Sequence, residues 1–199
     1  MKKLFACLLA LMLTLSLTAC SLAEQPAAVR LAALKGPTAM GLVKLMQDAA
    51  GGTVESGNTY DFTLAGSADE VTPALIKGEL DMACVPANLA AVLYGKTEGA
   101  VEVLAVNTLG VLYIVENGSA VQSIADLKGQ TIVAAGKGST PEYALRYLLS
   151  ENGIDPDSDV TIDWKSEHSE CVAALASGQA SIALLPQPFV TVAQSKIEG

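Results

Sequence analysis

The sequence predicts an α/β protein built as two small lobes. Two observations carry this. From Val29 onward, short apolar and β-branched runs alternate with segments of helical spacing, the pattern of a parallel sheet with helices packed on its faces. The alternation occurs twice, on either side of the turn-forming Asn117-Gly118, and each half is too short for a large sheet but long enough for a lobe. The predicted division is residues 29–116 for lobe one and 117–199 for lobe two.

The elements follow in order. Val29 to Leu34 reads as a strand, Lys35-Gly36-Pro37-Thr38 as a turn, and Thr38 as the cap of a helix to Ala50, stopped by Gly51-Gly52. Tyr60 to Leu64 alternates like a strand. Ala68 to Lys77 has helical spacing, with Pro73 acceptable only in a first turn. Leu80 to Val85 is a strand, and Pro86 opens a helix to Tyr94. Val101 to Val106 and Val111 to Val115 are two further strands. In the second half, Ser123 to Leu127 is a short helix and Thr131 to Ala135 a strand. Gly136 to Pro141 leads into a helix that ends at Asn152-Gly153. Val160 to Trp164, Glu167 to Ala176, Ala180 to Leu185 and a last helix to about Lys196 complete the alternation.

The N-terminus is a different kind of segment. Met1-Lys2-Lys3 is basic, Leu4 to Leu17 is mostly apolar, and Leu17-Thr18-Ala19-Cys20 closes it with small residues. This is the layout of a secretory signal peptide over residues 1–19, and the final four residues resemble the bacterial lipobox. The resemblance implies cleavage before Cys20, lipid on its thiol and amino group, and a tether over residues 20–28. The protein would then be anchored on the extracytoplasmic face of the cell membrane.

Charge narrows the partners. The whole chain carries −9, and losing Lys2 and Lys3 with the signal makes it more acidic still. A nucleic-acid partner needs a basic footprint that this chain does not have. Of four cysteines, Cys7 leaves with the signal and Cys20 takes lipid. Cys84 and Cys171, both in apolar surroundings, read as small buried side chains; an exported protein also leaves a disulfide between them open. No CxxC and a single histidine argue against a zinc site. No cofactor is called for.

The chemistry lies at the ends of strands. Gly136-Lys137-Gly138-Ser139-Thr140-Pro141 is neither a P-loop nor a dinucleotide fingerprint, because Lys137 is followed by Gly138 and the third glycine position is Pro141. Its two glycines, capping hydroxyls and proline suit the start of a helix, where free N–H groups and the positive end of the helix dipole favour an anion. The same features describe a well-capped helix without a ligand. In open α/β sheets ligands bind beyond the carboxyl ends of strands. That rule selects Lys35, Gly36, Pro37, Thr38, Ser67, Asn88, Lys137, Gly138, Ser139, Thr140 and Gln187, a set of small polar and basic groups that can hold a solute but suggest no reaction. His168 and the carboxylates of Asp155, Asp157 and Asp159 read as solvated groups on a helix start and a turn. Trp164, Tyr60 and Tyr94 read as core or rim packing. No catalytic residue and no metal ligand is assigned.

Several segments then combine into a known pattern. They are Ser123-Ile124-Ala125-Asp126-Leu127-Lys128-Gly129, Gly136 to Tyr143, Ala174 to Ala180, Pro186-Gln187-Pro188-Phe189, and in the first half Gly78 to Ala83. Together they resemble the solute-binding proteins of bacterial ABC importers, nearest to the sulfonate, taurine, nitrate and thiamine-pyrimidine-precursor binders. The resemblance implies a two-lobe, type II periplasmic-binding-protein-like fold, hinged near Glu116 to Ala120, whose return crossover and final helices would lie beyond Gly199. It implies a monomer that takes a small organic anion between its lobes and passes it to a permease and ATPase. Gly36, Pro37, Thr38, Ser67, Asn88, Ser139 and Thr140 fall where such proteins meet ligand. Two alternatives stand beside this reading: a thiamine-precursor binder of the same group, and an enzyme on the same fold like the eukaryotic thiamine-pyrimidine synthases, whose Cys-rich motif is absent here. A sensory or adhesive module without a transporter is a third.

Overall fold

The structure is a computed structural model, and it describes residues 26–197. The signal segment, Cys20 and most of the tether lie outside the described residues. The chain forms two separate sheets. The first has the order β2-β1-β3, from β1 (Ala28–Leu34), β2 (Thr59–Ala65) and β3 (Met82–Cys84), all parallel. Helices α1 (Pro37–Met40), α2 (Val43–Gly51), α3 (Ala68–Ile76) and α4 (Ala87–Lys96) connect and flank these strands. The second sheet has the order β4-β7-β5-β6, from β4 (Leu112–Glu116), β5 (Thr131–Ala135), β6 (Thr161–Lys165) and β7 (Ile182–Pro186). Its helices are α5 (Thr140–Glu151), α6 (His168–Ala176) and α7 (Phe189–Lys196), with a 3₁₀ turn at Ile124–Leu127.

The residue pattern explains the packing of the second sheet. Successive strand residues face opposite sides. Ile132 and Ala134 of β5, with Ile182 and Leu184 of β7, therefore face α5, where Leu145, Leu149, Ile154 and Val160 complete one buried cluster. Val133, Ala135, Ala183 and Leu185 face the other way, against Cys171, Val172 and Leu175 of α6 and Val190 and Ala193 of α7. Central strands buried on both faces read as unbroken apolar runs, and every residue of β7 is buried. The first lobe has much less. Its buried cluster is Ala32, Ala65 and Val71, and Met40, Val43, Leu64, Ile76, Val92 and Tyr94 are exposed.

Six expectations are corrected. Val101 to Val106 is not a strand. A strand needs a hydrogen-bonding partner, and this segment has none among the described residues; the residues just after it are tied to α1, where Asn107 Nδ2 donates to the Thr38 carbonyl (3.0 Å) and Thr108 Oγ1 to that of Pro37 (3.0 Å). The strand at the end of the predicted first lobe, β4, belongs to the second sheet, and pairs antiparallel with β7 (Tyr113 opposite Leu185). The sheet is mixed, not purely parallel, and the chain passes between sheets within residues 97–111, not near Glu116 to Ala120. The Glu116 carboxylate caps that later turn, accepting from Ala120 and Val121 N–H. The helix expected from Thr38 to Ala50 is broken at Gly41-Leu42. Gly41 lies under Asn107, where a Cβ would come within 2.7 Å of Nδ2, and Thr38 is inside α1 with its hydroxyl on the Leu34 carbonyl (2.8 Å). Pro73 sits in the second turn of α3, not the first, where it removes the N–H that the Asp69 carbonyl would otherwise accept from.

The cysteines do not pair: Cys171 is buried and Cys84 half-buried, both free. Burial pushes the Cys171 thiol up to about 11, so it stays protonated. The three aspartates form a self-bonded turn, with Asp155 Oδ1 accepting from Asp157 N–H (2.9 Å), Asp157 on Arg146 (2.6 Å) and Asp159 on Lys128 (3.1 Å). Trp164 packs partly buried on the α5 side of the second sheet. Among the described residues no helix is long and apolar enough to cross a membrane.

Candidate functional site

The carboxyl ends of the two parallel strand sets meet each other. From the first sheet come Lys35-Gly36 after β1, Gly66-Ser67 after β2 and Asn88 near the start of α4. From the second come Gly136 to Ser139 after β5, Ser166-Glu167 after β6 and Gln187-Pro188 after β7. Asn88 spans the gap: its Nδ2 donates to the Gly138 carbonyl (3.3 Å), and its Oδ1 accepts from Thr140 Oγ1 (3.2 Å). Lys35 Nζ faces Glu167 Oε1 at 3.7 Å. The Phe189 ring lies over Gly36, where a Cβ would come 3.2 Å from Cε2. Gly36 has φ of 119°, so glycine is required there by the backbone as well as by the ring.

Five of the residues selected from sequence, Lys35, Gly36, Asn88, Gly138 and Thr140, are thus brought together across the lobes. The others are not. Thr38 is spent on Leu34, and the Pro37 carbonyl on Thr108. Ser67 Oγ donates to Glu70 (3.2 Å), Ser139 Oγ to the Gly136 carbonyl (2.8 Å), and Gln187 Oε1 accepts from Thr191 (3.0 Å). Lys137 lines a shallow depression of about 500 Å³ with Glu142, Arg146, Asp157 and Trp164, in which no residue of the first sheet takes part.

The helix starts carry their own anions. Glu70 Oε1 accepts from Gly66 N–H (3.1 Å) and Ser67 N–H (2.9 Å), Glu142 Oε2 from Gly138 N–H (2.6 Å), and Glu170 Oε2 from Ser166 N–H (3.0 Å). Each acid is the third residue of its helix, as in a capping box. Amides at the starts of α3, α5 and α6, including the α5 start expected to favour an anion, are therefore engaged by carboxylates of the same helices.

One such group was expected to be solvated and is not. His168, the first residue of α6, is half-buried with its ring 5.4 Å from that of Phe189. Its Nδ1 is buried and, among the described residues, is the one such side-chain nitrogen or oxygen without a partner. Burial pushes the imidazole down to about 4, so it is neutral at pH 7, with one nitrogen a donor and the other an acceptor. The strand-end rule also reaches the loop Lys165-Ser166 after β6, and stops one and two residues short of Glu167 and His168. The polar run Ser166-Glu167-His168-Ser169-Glu170 directly after β6 was the available signal.

The His168 burial has a consequence for stability. In the unfolded chain the imidazole titrates near 6.5; in the folded protein it titrates near 4. Below about pH 6.5 the unfolded state binds the additional proton, so this contribution to stability is complete above that value and declines as pH falls toward 4. Urea midpoints measured from pH 7.5 to 4.5 should fall for the parent and fall less steeply for His168→Gln. Equal slopes would mean that the ring is solvated after all.

Residues 53–197 match the family described as ABC transporter, phosphonate, periplasmic substrate-binding protein. The chain belongs to that family. The sequence resemblance to importer solute-binding proteins is borne out; the matching family carries a phosphonate description. No curated protein matches the chain. Solved structures share the family's fold. The periplasmic aliphatic sulphonate-binding protein of Escherichia coli aligns with a TM-score of 0.59 and 21% identity over 86% of this chain and 58% of its own. The periplasmic nitrate-binding protein of Synechocystis PCC 6803 gives 0.62 and 13%, over 86% and 50%. A binding protein component of an ABC phosphonate transporter from Pseudomonas aeruginosa gives 0.57 and 16%, over 87% and 62%. The chain spans less than two thirds of the length of each. The two-lobe α/β expectation agrees with these folds.

Proposed function

We propose that this protein is the extracytoplasmic solute receptor of an ABC importer, held at the membrane by lipid on Cys20, and that it encloses a small phosphonate or sulfonate between its two lobes without transforming it. The lobes comprise the β1–β3 and β4–β7 sheets and are joined through residues 97–111. The single observation that carries the reading is the meeting of strand-end loops from both sheets beside His168, whose Nδ1 has no partner among the described residues. Thr140 Oγ1, Asn88 Nδ2 and the neutral imidazole are hydrogen-bond donors suited to oxyanion oxygens. Separation of the lobes frees the first two. Family membership supports an importer partner, and the small anions named for the similar structures support the ligand class.

Calorimetry with methylphosphonate, methanesulfonate and nitrate tests this. At least one of the first two should bind. Asn88→Ala and Thr140→Ala should each weaken it by more than about tenfold, the effect of a hydrogen bond to a charged group worth roughly 1.5–3 kcal/mol. Binding that is untouched in the double variant would remove the interlobe loops from the site, and heat from none of the three anions would reject the ligand class.

A further inference from the structure

Two side chains of the second lobe land on glycine backbone of the first: Phe189 on Gly36 and Glu167 on Gly66. They differ in what demands the glycine. Gly36 has a left-handed φ, and any side chain is strained there. Gly66 does not, so its backbone accepts any L-residue. What excludes a side chain at 66 is the partner across the gap. A Cβ would fall 2.7 Å from Glu167 Cδ and 3.2 Å from Cγ, with Oε1 nearer still. That carboxylate is the tip of a partly exposed side chain, held by two contacts. Glu167 caps α6 in an extended conformation, its Oε2 accepts from Ser169 Oγ (3.1 Å), and its Oε1 faces Lys35. Swinging it aside gives up both contacts.

We propose that Glu167 and Gly66 form the stop that sets how far the two lobes close. Glu167 is a positioning residue: it makes the interlobe gap as narrow as the bare Cα of Gly66 allows, and the narrow gap brings Asn88 against Gly138 and Thr140. Any side chain at 66 acts as a wedge. The proposal rests on the reading that the lobes close on a solute, but its test does not use one.

Asn88 and Thr140 sit on different lobes and are in contact with the lobes together, so the pair Asn88→Cys and Thr140→Cys reports closure by its oxidation rate, read by mass spectrometry as the linked 88–140 peptide. In that background Gly66→Ala should slow cross-linking by about 5- to 30-fold, the range for an overpacked contact costing one or two kcal/mol. Adding Glu167→Ala should restore it to near the parental rate, while Glu167→Ala alone should not slow it. This is a double-mutant cycle, and the rescue shows that the singly substituted protein was folded. Parental cross-linking in Gly66→Ala would overturn the proposal, as would slow cross-linking that persists after Glu167→Ala. A protein that binds no anion but obeys this series would lose the ligand reading and keep the stop.

Discussion

Truncating Leu149 to alanine should lower the unfolding free energy by about 2–5 kcal/mol, the range for a buried leucine whose cavity relaxes only in part. Leu149 is fully buried where α5 meets the second sheet, among Leu127, Ile132, Leu145, Ile154, Val160, Ile182 and Leu184. Its carbonyl also accepts from Asn152 and Ile154 N–H where the helix ends, so a shift of the side chain disturbs the cap. The neighbouring Leu148 is 36% exposed, and Leu148→Ala should cost about 1 kcal/mol or less. Trp164, the only tryptophan, packs on the same cluster and reports its opening by fluorescence in a urea titration. Similar losses for the two variants would contradict the packing of α5 described above. The first lobe also buries leucines, Leu31 and Leu93, but its packed cluster holds nothing larger than Val71.

Replacing Cys20 by alanine should convert a membrane-bound protein into a released one. Each buried CH₂ of an acyl chain contributes about 0.8 kcal/mol, and two or more chains hold stably where one does not. The acidic chain offers no electrostatic hold on anionic lipid in its place. In a bacterial host, the parent should take up radiolabelled fatty acid and sediment with membranes, and Cys20→Ala should do neither. A variant that still sediments after a salt wash would show that something other than lipid retains the protein.

The sequence by itself determined the alternation of strands and helices, the alternating faces of β5 and β7, and five of the residues that meet across the lobes. These follow from near neighbours. An Ile-Val-Ala-Ala run divides between two faces because strand side chains alternate, and Gly-Ser-Thr-Pro after a strand starts a helix wherever it occurs. Family resemblance was legible for a related reason, since its motifs are short and local. The tertiary structure decided the rest. Val101 to Val106 has strand composition, but composition cannot supply a partner strand, and tethering of Asn107 and Thr108 to α1 holds the segment elsewhere. The pairing of β4 with β7 joins residues about 70 positions apart, which no local pattern records. His168 looked solvated because its neighbours in sequence are polar. It is buried because Phe189, 21 positions on, lies against it. Gly66 carried no signal of its own: only the approach of Glu167 from the other lobe makes its missing side chain matter. Conformation is a short-range property of a chain, while pairing, burial and close approach belong to residues far apart in it, and the candidate site is built from the second kind.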